Sequence, residues 1–500
     1  MIKKTQKRSL GVLLRLWPLV LVGSVFLTYA LIMVLSMGQS VWFDEGYSLQ
    51  LIERPVSELL ALTAVDAHPP LYYLVLKAWA SIFGSSEWAL RSLSAVSAAL
   101  TVGAVFILVK KLFTVRVAVA VLPFLVLAPF FLRYGYEIRM YALAGLIGAL
   151  ATLVLVYART SKSPLKYWIF YAILVALGMY TLYTSVAIWV AHFIWLLIED
   201  IRAKKNIFKQ PWLVSFIGAV VLFAPYIATF FWQLTNSALP GIGSSITLTR
   251  FADITSMLLL YLPEWELTGW LSLVIAVYLV LVIVVAVKVA KRLGASNWQF
   301  RLLLVMATAP LGFFVVWALS PEPSFINRYL SHVSIYIYLF IAVVSVLYLR
   351  QSQTLKSYLF VLAGVGVFAF GTLQLQETGN LNFERLQHAK TSEIRQVVDC
   401  DDATVIAEDP YTYIDVAYYF KDCDLRFISK DPVQKKGGYA PLHDSEDRID
   451  SSDGIDSQTV YRLHWGNATD SSFRMGSRYQ QVSSETFDKQ VLDMYVLIAE

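Results

Sequence analysis

Charge is what this chain has little of. Only 15% of its 500 residues are Asp, Glu, Lys or Arg, against 57% hydrophobic ones, whereas a soluble domain carries about 25% charged residues. So few charges cannot clothe a water-facing surface for a chain this long. Cysteine is scarcer still: Cys400 and Cys423 are the whole supply. Two cysteines exclude a disulfide scaffold, and their spacing fits no zinc motif. One bond between them in an oxidising space and two free thiols both stay open. Also missing are a glycine-rich phosphate loop, a His-x-x-x-His pair and a Gly-x-Ser-x-Gly elbow. Chemistry driven by cytoplasmic nucleotides therefore has no support. Internal repeats and low-complexity tracts are lacking too, and nothing points to nucleic acid.

What fills the space is apolar sequence in runs of about 20 residues, each long enough to cross a hydrocarbon layer of roughly 30 Å. The basic start, residues 1–8, precedes the first run, 16–37. That run exceeds a signal-peptide core, so it reads as an uncleaved anchor with its N-terminus in the cytoplasm. Further spans are expected near 89–109, 115–134, 136–157, 165–181, 182–199, 211–232, 268–289, 300–319, 328–349 and 356–375, about eleven in all. Lys and Arg collect in the links 110–116, 159–166, 202–209, 288–301 and 350–356, which therefore face the cytoplasm. An odd count puts the segment 38–91 and the C-terminal part outside the plasma membrane. The short link 134–137, the loop 233–267 with its flexible stretch 240–245, and the link 321–328 fall on that same outer face.

The charge is unevenly spread. Residues 385–500 hold 13 Lys/Arg against 21 Asp/Glu, and the remainder 28 against 15. A boundary is thus expected between a membrane domain, 1–384, and an extracytoplasmic domain, 385–500. The latter shows short apolar or β-branched runs at 404–407, 425–428, 460–464 and 494–498 and a helical pattern over 410–420. These predict a small α/β domain with a mainly parallel sheet. The polar stretch 430–458 reads as loop. A glycosylation sequon at Asn467 is too common by chance to carry weight.

The ionisable residues of the outer links are the candidates for chemistry, because charge near a bilayer persists only where it has partners or water. In the segment 38–91, Asp44 and Glu45 stand side by side; His68-Pro69-Pro70-Leu71-Tyr72-Tyr73 follows, then Lys77. The stretches 41–52 and 69–83 mix apolar and polar residues at helical spacing and read as interfacial helices. Acids also suit a solvated helix start. On a helix, neighbours point about 100° apart, so one of the pair at most faces a given atom. Glu137, Arg139 and Tyr141 open one span, and Arg328 and Tyr329 open another. Arg grips phosphate through a planar fork of donors, although snorkelling would also place it there. His192 falls near the inner end of its span and His332 just inside the outer face.

The ordered set of an acidic pair after the first span, His-Pro-Pro-Leu-Tyr-Tyr, and basic-aromatic pairs opening later spans resembles one superfamily. It is similar to the GT-C integral-membrane glycosyltransferases, and among them to protein O-mannosyltransferases, lipid A aminoarabinose transferases and RgtA/B/C/D-like bacterial enzymes. The resemblance covers residues 10–375. It implies a GT-C-like polytopic helical fold and an inverting hexosyl or pentosyl transfer from a polyprenyl-phosphate sugar to a cell-envelope glycan, lipid or protein outside the membrane. It casts Asp44, with Glu45 beside it, as the catalytic acidic residue. Arg139, Arg328 and Lys77 would meet the lipid phosphate; His68, Glu137, Tyr141 and Tyr329 would line the substrate site. No cofactor is required, but a divalent cation is an option, with Glu137 and His68 as candidate ligands. Two competitors are a flippase for lipid-linked sugars, which predicts ionisable residues along mid-span paths, and a non-catalytic membrane scaffold.

Overall fold

The computed structural model describes residues 16–236, 248–262, 269–294, 296–319, 326–378, 390–452, 454–466 and 475–498. The basic start, the stretch 240–245, the link 321–325 and the sequon at 467–469 lie outside them. By packing, the chain forms two units: Met1–Leu35, Arg91–Ala228 and Pro240–Glu377 make one, and Ser36–Leu90, Thr229–Leu239 and Thr378–Glu500 the other. The segment 36–90 thus packs with the C-terminal part, a grouping that charge alone does not reveal.

The first unit is helical. Among the described residues, nine helices are long and apolar enough to span a membrane. They are Trp17–Leu35, Glu87–Leu112, Tyr141–Thr160, Tyr183–Arg202, Pro211–Asn236, Gly269–Leu293, Trp298–Ala318, Asn327–Ser352 and Leu355–Gln376. Two further apolar helices, Val115–Val126 and Leu165–Thr181, are shorter. The expected span 115–134 is broken. Its helix stops at Val126 and resumes only as Pro129–Arg133, because the residue before a proline is driven out of the α region; Ala128 is extended at ψ 98°. The next span begins at Tyr141, not 136, and 134–140 is a run of turns.

The helix Asn327–Ser352 is the hub, 89% buried over its apolar window, against 22% for Gly269–Leu293. The latter leaves Val274, Val277, Val280 and Ile283 exposed. An apolar face of that size is a liability in water and the proper surface in lipid: this is a multi-pass membrane protein. Several polar groups inside the bundle are bonded to one another. His192 lies 2.9 Å from Thr152 Oγ1 and 3.1 Å from the Tyr171 hydroxyl, and Thr152 Oγ1 is 2.7 Å from the Tyr336 hydroxyl. At one end of the bundle, Arg159 pairs with Asp200 at 2.9 Å and Arg301 with Glu199 at 2.6 Å.

In the second unit, six strands form one sheet in the order β3-β2-β1-β4-β6-β5. These are β1 (Ala403–Ala407), β2 (Asp424–Ile428), β3 (Arg448–Ile449), β4 (Thr459–Trp465), β5 (Tyr479–Phe487) and β6 (Gln490–Leu497). β1 to β4 are parallel as expected, but β6 runs antiparallel to β4 and to β5. The mainly parallel expectation holds, since three of the five strand pairings are parallel. The antiparallel part is a hairpin of β5, which was not expected, and β6, which holds the expected run 494–498; its two-residue turn places Asp488 at φ 56°, the left-handed conformation such turns demand. The helix Pro410–Val416 follows β1, capped by Asp409, whose Oδ1 accepts from the Thr412 N–H at 2.6 Å. Cys400 and Cys423 are bonded to each other. Burial alone would raise the Asp493 carboxyl; hydrogen bonds with His464 and Ser484, and the Arg462 charge, reverse this and hold it below its ordinary value.

Candidate active site

In the helical unit, Tyr141–Thr160 and Asn327–Ser352 run side by side in the same direction. A Cβ on Gly145 would meet the His332 carbonyl oxygen at 3.6 Å, and further along Thr152 bonds Tyr336. Tyr141 and Arg328 each precede that first contact by four residues, so they stand at matching height. This is the end of the bundle remote from the Arg159–Asp200 pair, since Arg159 closes the helix that Tyr141 opens.

At that end the turn segment 134–140 is packed with ionisable groups. Glu137 is wholly buried; its Oε2 accepts from Arg133 Nη1 at 3.3 Å, and its carbonyl accepts from Ser94 Oγ at 2.6 Å. The Arg133 guanidinium also lies 5.1 Å over the Tyr136 ring, a cation–π contact. Arg139 is buried, its N–H donating to the Glu137 carbonyl at 2.7 Å. Tyr141 is buried and meets the Tyr134 ring edge-on at 5.3 Å. Tyr329 stacks on Trp317 at 5.5 Å, and Arg328 beside it is half-buried. Asn327 Nδ2 donates to Asp253 Oδ2 at 2.9 Å. Arg91 is buried one turn before Ser94. Among the described residues, buried arginines (91, 133, 139) outnumber the buried acids Glu137 and Asp253 at this end. Such an excess of cations, at least partly withdrawn from water, suits an anionic ligand.

In the second unit, Asp44 and Glu45 occupy the first turn of the helix Phe43–Glu53, where acids are favoured. The wheel separates them: Glu45 is buried and Asp44 keeps some exposure. A helix Val56–Ala64 lies between this one and Leu71–Phe83 in sequence, so the segment 38–91 holds three short helices where two were expected. His68 Nδ1 is 3.2 Å from Asp66 Oδ2. Lys77 Nζ donates to the carbonyls of Ile52 and Arg54 at 2.6 and 2.9 Å. Its ammonium thus caps the acidic helix, where the orphan carbonyls and the helix dipole favour a cation.

Each candidate metal ligand also has an ionic neighbour, Arg133 for Glu137 and Asp66 for His68. Among the described residues, no group of three or more His, Cys, Asp or Glu side chains is placed to hold a metal. Sequence reasoning passed over Arg133, Arg91, Asp66 and Asp253. The signal for the two arginines was there: an ionisable residue inside a predicted span marks a candidate site.

Residues 67–232, about a third of the chain, match a family model described as dolichyl-phosphate-mannose-protein mannosyltransferase. No curated protein matches significantly in sequence. In structure the chain is similar to ArnT from Cupriavidus metallidurans bound to undecaprenyl phosphate, at TM-score 0.62 and 12% identity, over 96% of this chain and 98% of that one. It is similar to the arabinofuranosyltransferase AftD from Mycobacteria, at TM-score 0.52 and 11% identity, over 96% of this chain and 40% of the other. It is also similar to the Archaeoglobus fulgidus oligosaccharyltransferase, at 0.50 and 10%, over 88% and 67%. At such identities the likeness is one of fold, and the fold is GT-C.

Proposed function

We infer that the chain is an inverting glycosyltransferase that moves a sugar from a polyprenyl phosphate to a cell-envelope acceptor. The observation that carries this reading is the cluster of buried arginines around Glu137 at one end of a GT-C helix bundle. In such a transfer the bond from the sugar's anomeric carbon to the phosphate oxygen breaks, and one to the acceptor oxygen forms on the opposite face. The leaving phosphate departs as an anion and needs cations, not a general acid. Arg139 and Arg328 take that role, with Tyr141 and Tyr329 beside them. The acceptor hydroxyl loses its proton to a base, for which one carboxylate suffices. Asp44, the more open of the acidic pair, is assigned that step. The family match supports mannose-like chemistry, and the ArnT likeness supports a lipid-phosphate carrier.

The direct test is incubation of purified protein in detergent with radiolabelled polyprenyl-phosphate mannose, glucose, galactose and arabinose, with and without chelator. Transfer without a sealed compartment supports an enzyme and excludes a flippase. Arg139→Ala is expected to raise donor KM by at least tenfold, a charge-assisted contact being worth about 1.5–3 kcal/mol, with acceptor KM little changed. Unaltered donor kinetics would remove Arg139 from the phosphate site.

The Cys400–Cys423 bond supports an extracytoplasmic C-terminal part and a cytoplasmic N-terminus. Intact cells treated with a reductant and then a membrane-impermeant maleimide should label the protein. These are the only cysteines in the chain, so labelling that appears only after permeabilisation would invert the orientation.

A further inference from the structure

The helix Phe43–Glu53 meets the C-terminal α/β domain along one stripe. Phe43, Gly46, Gln50 and Glu53 recur at intervals of three or four residues and share a face; Asp44 points to roughly the opposite side. The stripe is seated at every position. The Phe43 ring stacks flat on Tyr411, centroids 4.5 Å apart, and meets Tyr439 edge-on at 5.4 Å. Gly46 lies against the backbone of the helix Pro410–Val416, so closely that a Cβ there would sit 2.2 Å from the Ile414 carbonyl oxygen. Gln50 and Glu53 line a cleft of about 290 Å³ with Tyr413 and Ala417, and Glu53 pairs with Lys421 at 3.4 Å. Just before the helix, the Val41 N–H donates to the Tyr419 hydroxyl at 2.8 Å, and the Ser40 and Ser392 hydroxyls are 2.8 Å apart.

We propose that the C-terminal domain functions as a seat for this helix, with Gly46 as the positioning residue that sets its height and rotation and so the direction of the Asp44 carboxylate. The proposal rests on Asp44 being the base. Contact through backbone makes the seat stiff. A side chain at 46 cannot be accommodated by a rotamer change, because its obstacle is a peptide oxygen; the helix has to lift, by about 1 Å. A displacement of that size at a reacting group costs on the order of a hundredfold in rate.

The test is Gly46→Ala in the full-length protein, read in two ways. Turnover of the active polyprenyl-phosphate sugar should fall about a hundredfold in kcat, with donor KM within twofold. Amide exchange should speed up across 43–53 while β1, β4 and β6 keep their protection. Ile414→Ala should fail to rescue the variant, since the clash is with main chain. Phe43→Leu, which removes the stack and adds no clash, reads the same two quantities if Gly46→Ala does not fold; it should lower kcat about tenfold. Wild-type kcat in a folded Gly46→Ala protein, or unchanged exchange across 43–53, overturns the seat. Normal transfer by Asp44→Asn would instead remove the base while the exchange measurement still decides the seat.

Discussion

Replacing Asp44 by Asn is expected to lower transfer by at least a hundredfold, and up to about ten-thousandfold, the range that a positioned general base supplies, with the protein folded as before. The substitution is nearly isosteric, so packing in the first turn of Phe43–Glu53 is kept. What it removes is the basic oxygen and one negative charge at a helix N-terminus, where the dipole interaction is worth about 0.3–1 kcal/mol. Stability should therefore move little while kcat collapses. Glu45 gives the contrasting control. It is buried in the same turn, so Glu45→Gln is expected to act mainly on stability. Single-turnover assays with saturating donor, read beside thermal unfolding, separate the two. An Asp44→Asn enzyme within a few-fold of wild type would transfer the base to another residue; an unfolded one would make Asp44 a structural acid.

The bundle was legible because lipid imposes one rule, an apolar run of fixed length, and the sequence obeys it with few interruptions. The break after Val126 was not, because Leu127, Pro129, Phe130 and Phe131 are as apolar as the span itself and only Pro129 marks the interruption. That error hid Arg133, which the assumed span 115–134 enclosed near its end. Strand β5 was missed for the opposite reason: its face is almost wholly exposed and polar, so it lacks the alternation that betrays a half-buried strand. The joining of 36–90 with the C-terminal part was out of reach. It depends on contacts such as Ser40 with Ser392, hundreds of residues apart, and no local pattern encodes them. Lys77 shows the limit on site reading. Its partners in the structure are two helix carbonyls that carry no signature in the sequence. Asp44 and Glu45 were found by residue type, but which of the two is shielded follows only from the rotation at which the helix is held.

Breaking the Arg133–Glu137 pair should have the second large effect, and on stability. Glu137 is wholly buried and Arg133 nearly so. Removing one member of a buried pair leaves the other charged and desolvated, at a cost of about 3–5 kcal/mol. Glu137→Met and Arg133→Met are thus each expected to lower the unfolding temperature strongly, or to prevent accumulation in the membrane. The Arg133→Met/Glu137→Met double variant removes both charges and keeps apolar volume, so it should recover much of the loss, as replacement of whole buried pairs tends to do. A double-mutant cycle on thermal unfolding in lipid nanodiscs measures this: the two single losses should exceed the double loss by several kcal/mol. Additive losses would mean that each residue is held by other neighbours and that the 3.3 Å contact contributes little. The cycle also bears on function. If the double variant is stable and still turns over, the anion at this end is held by Arg139, Arg328 and Arg91 without Arg133. If it is stable and inactive, Arg133 belongs with the phosphate-binding arginines, and Glu137 serves to hold its guanidinium in place.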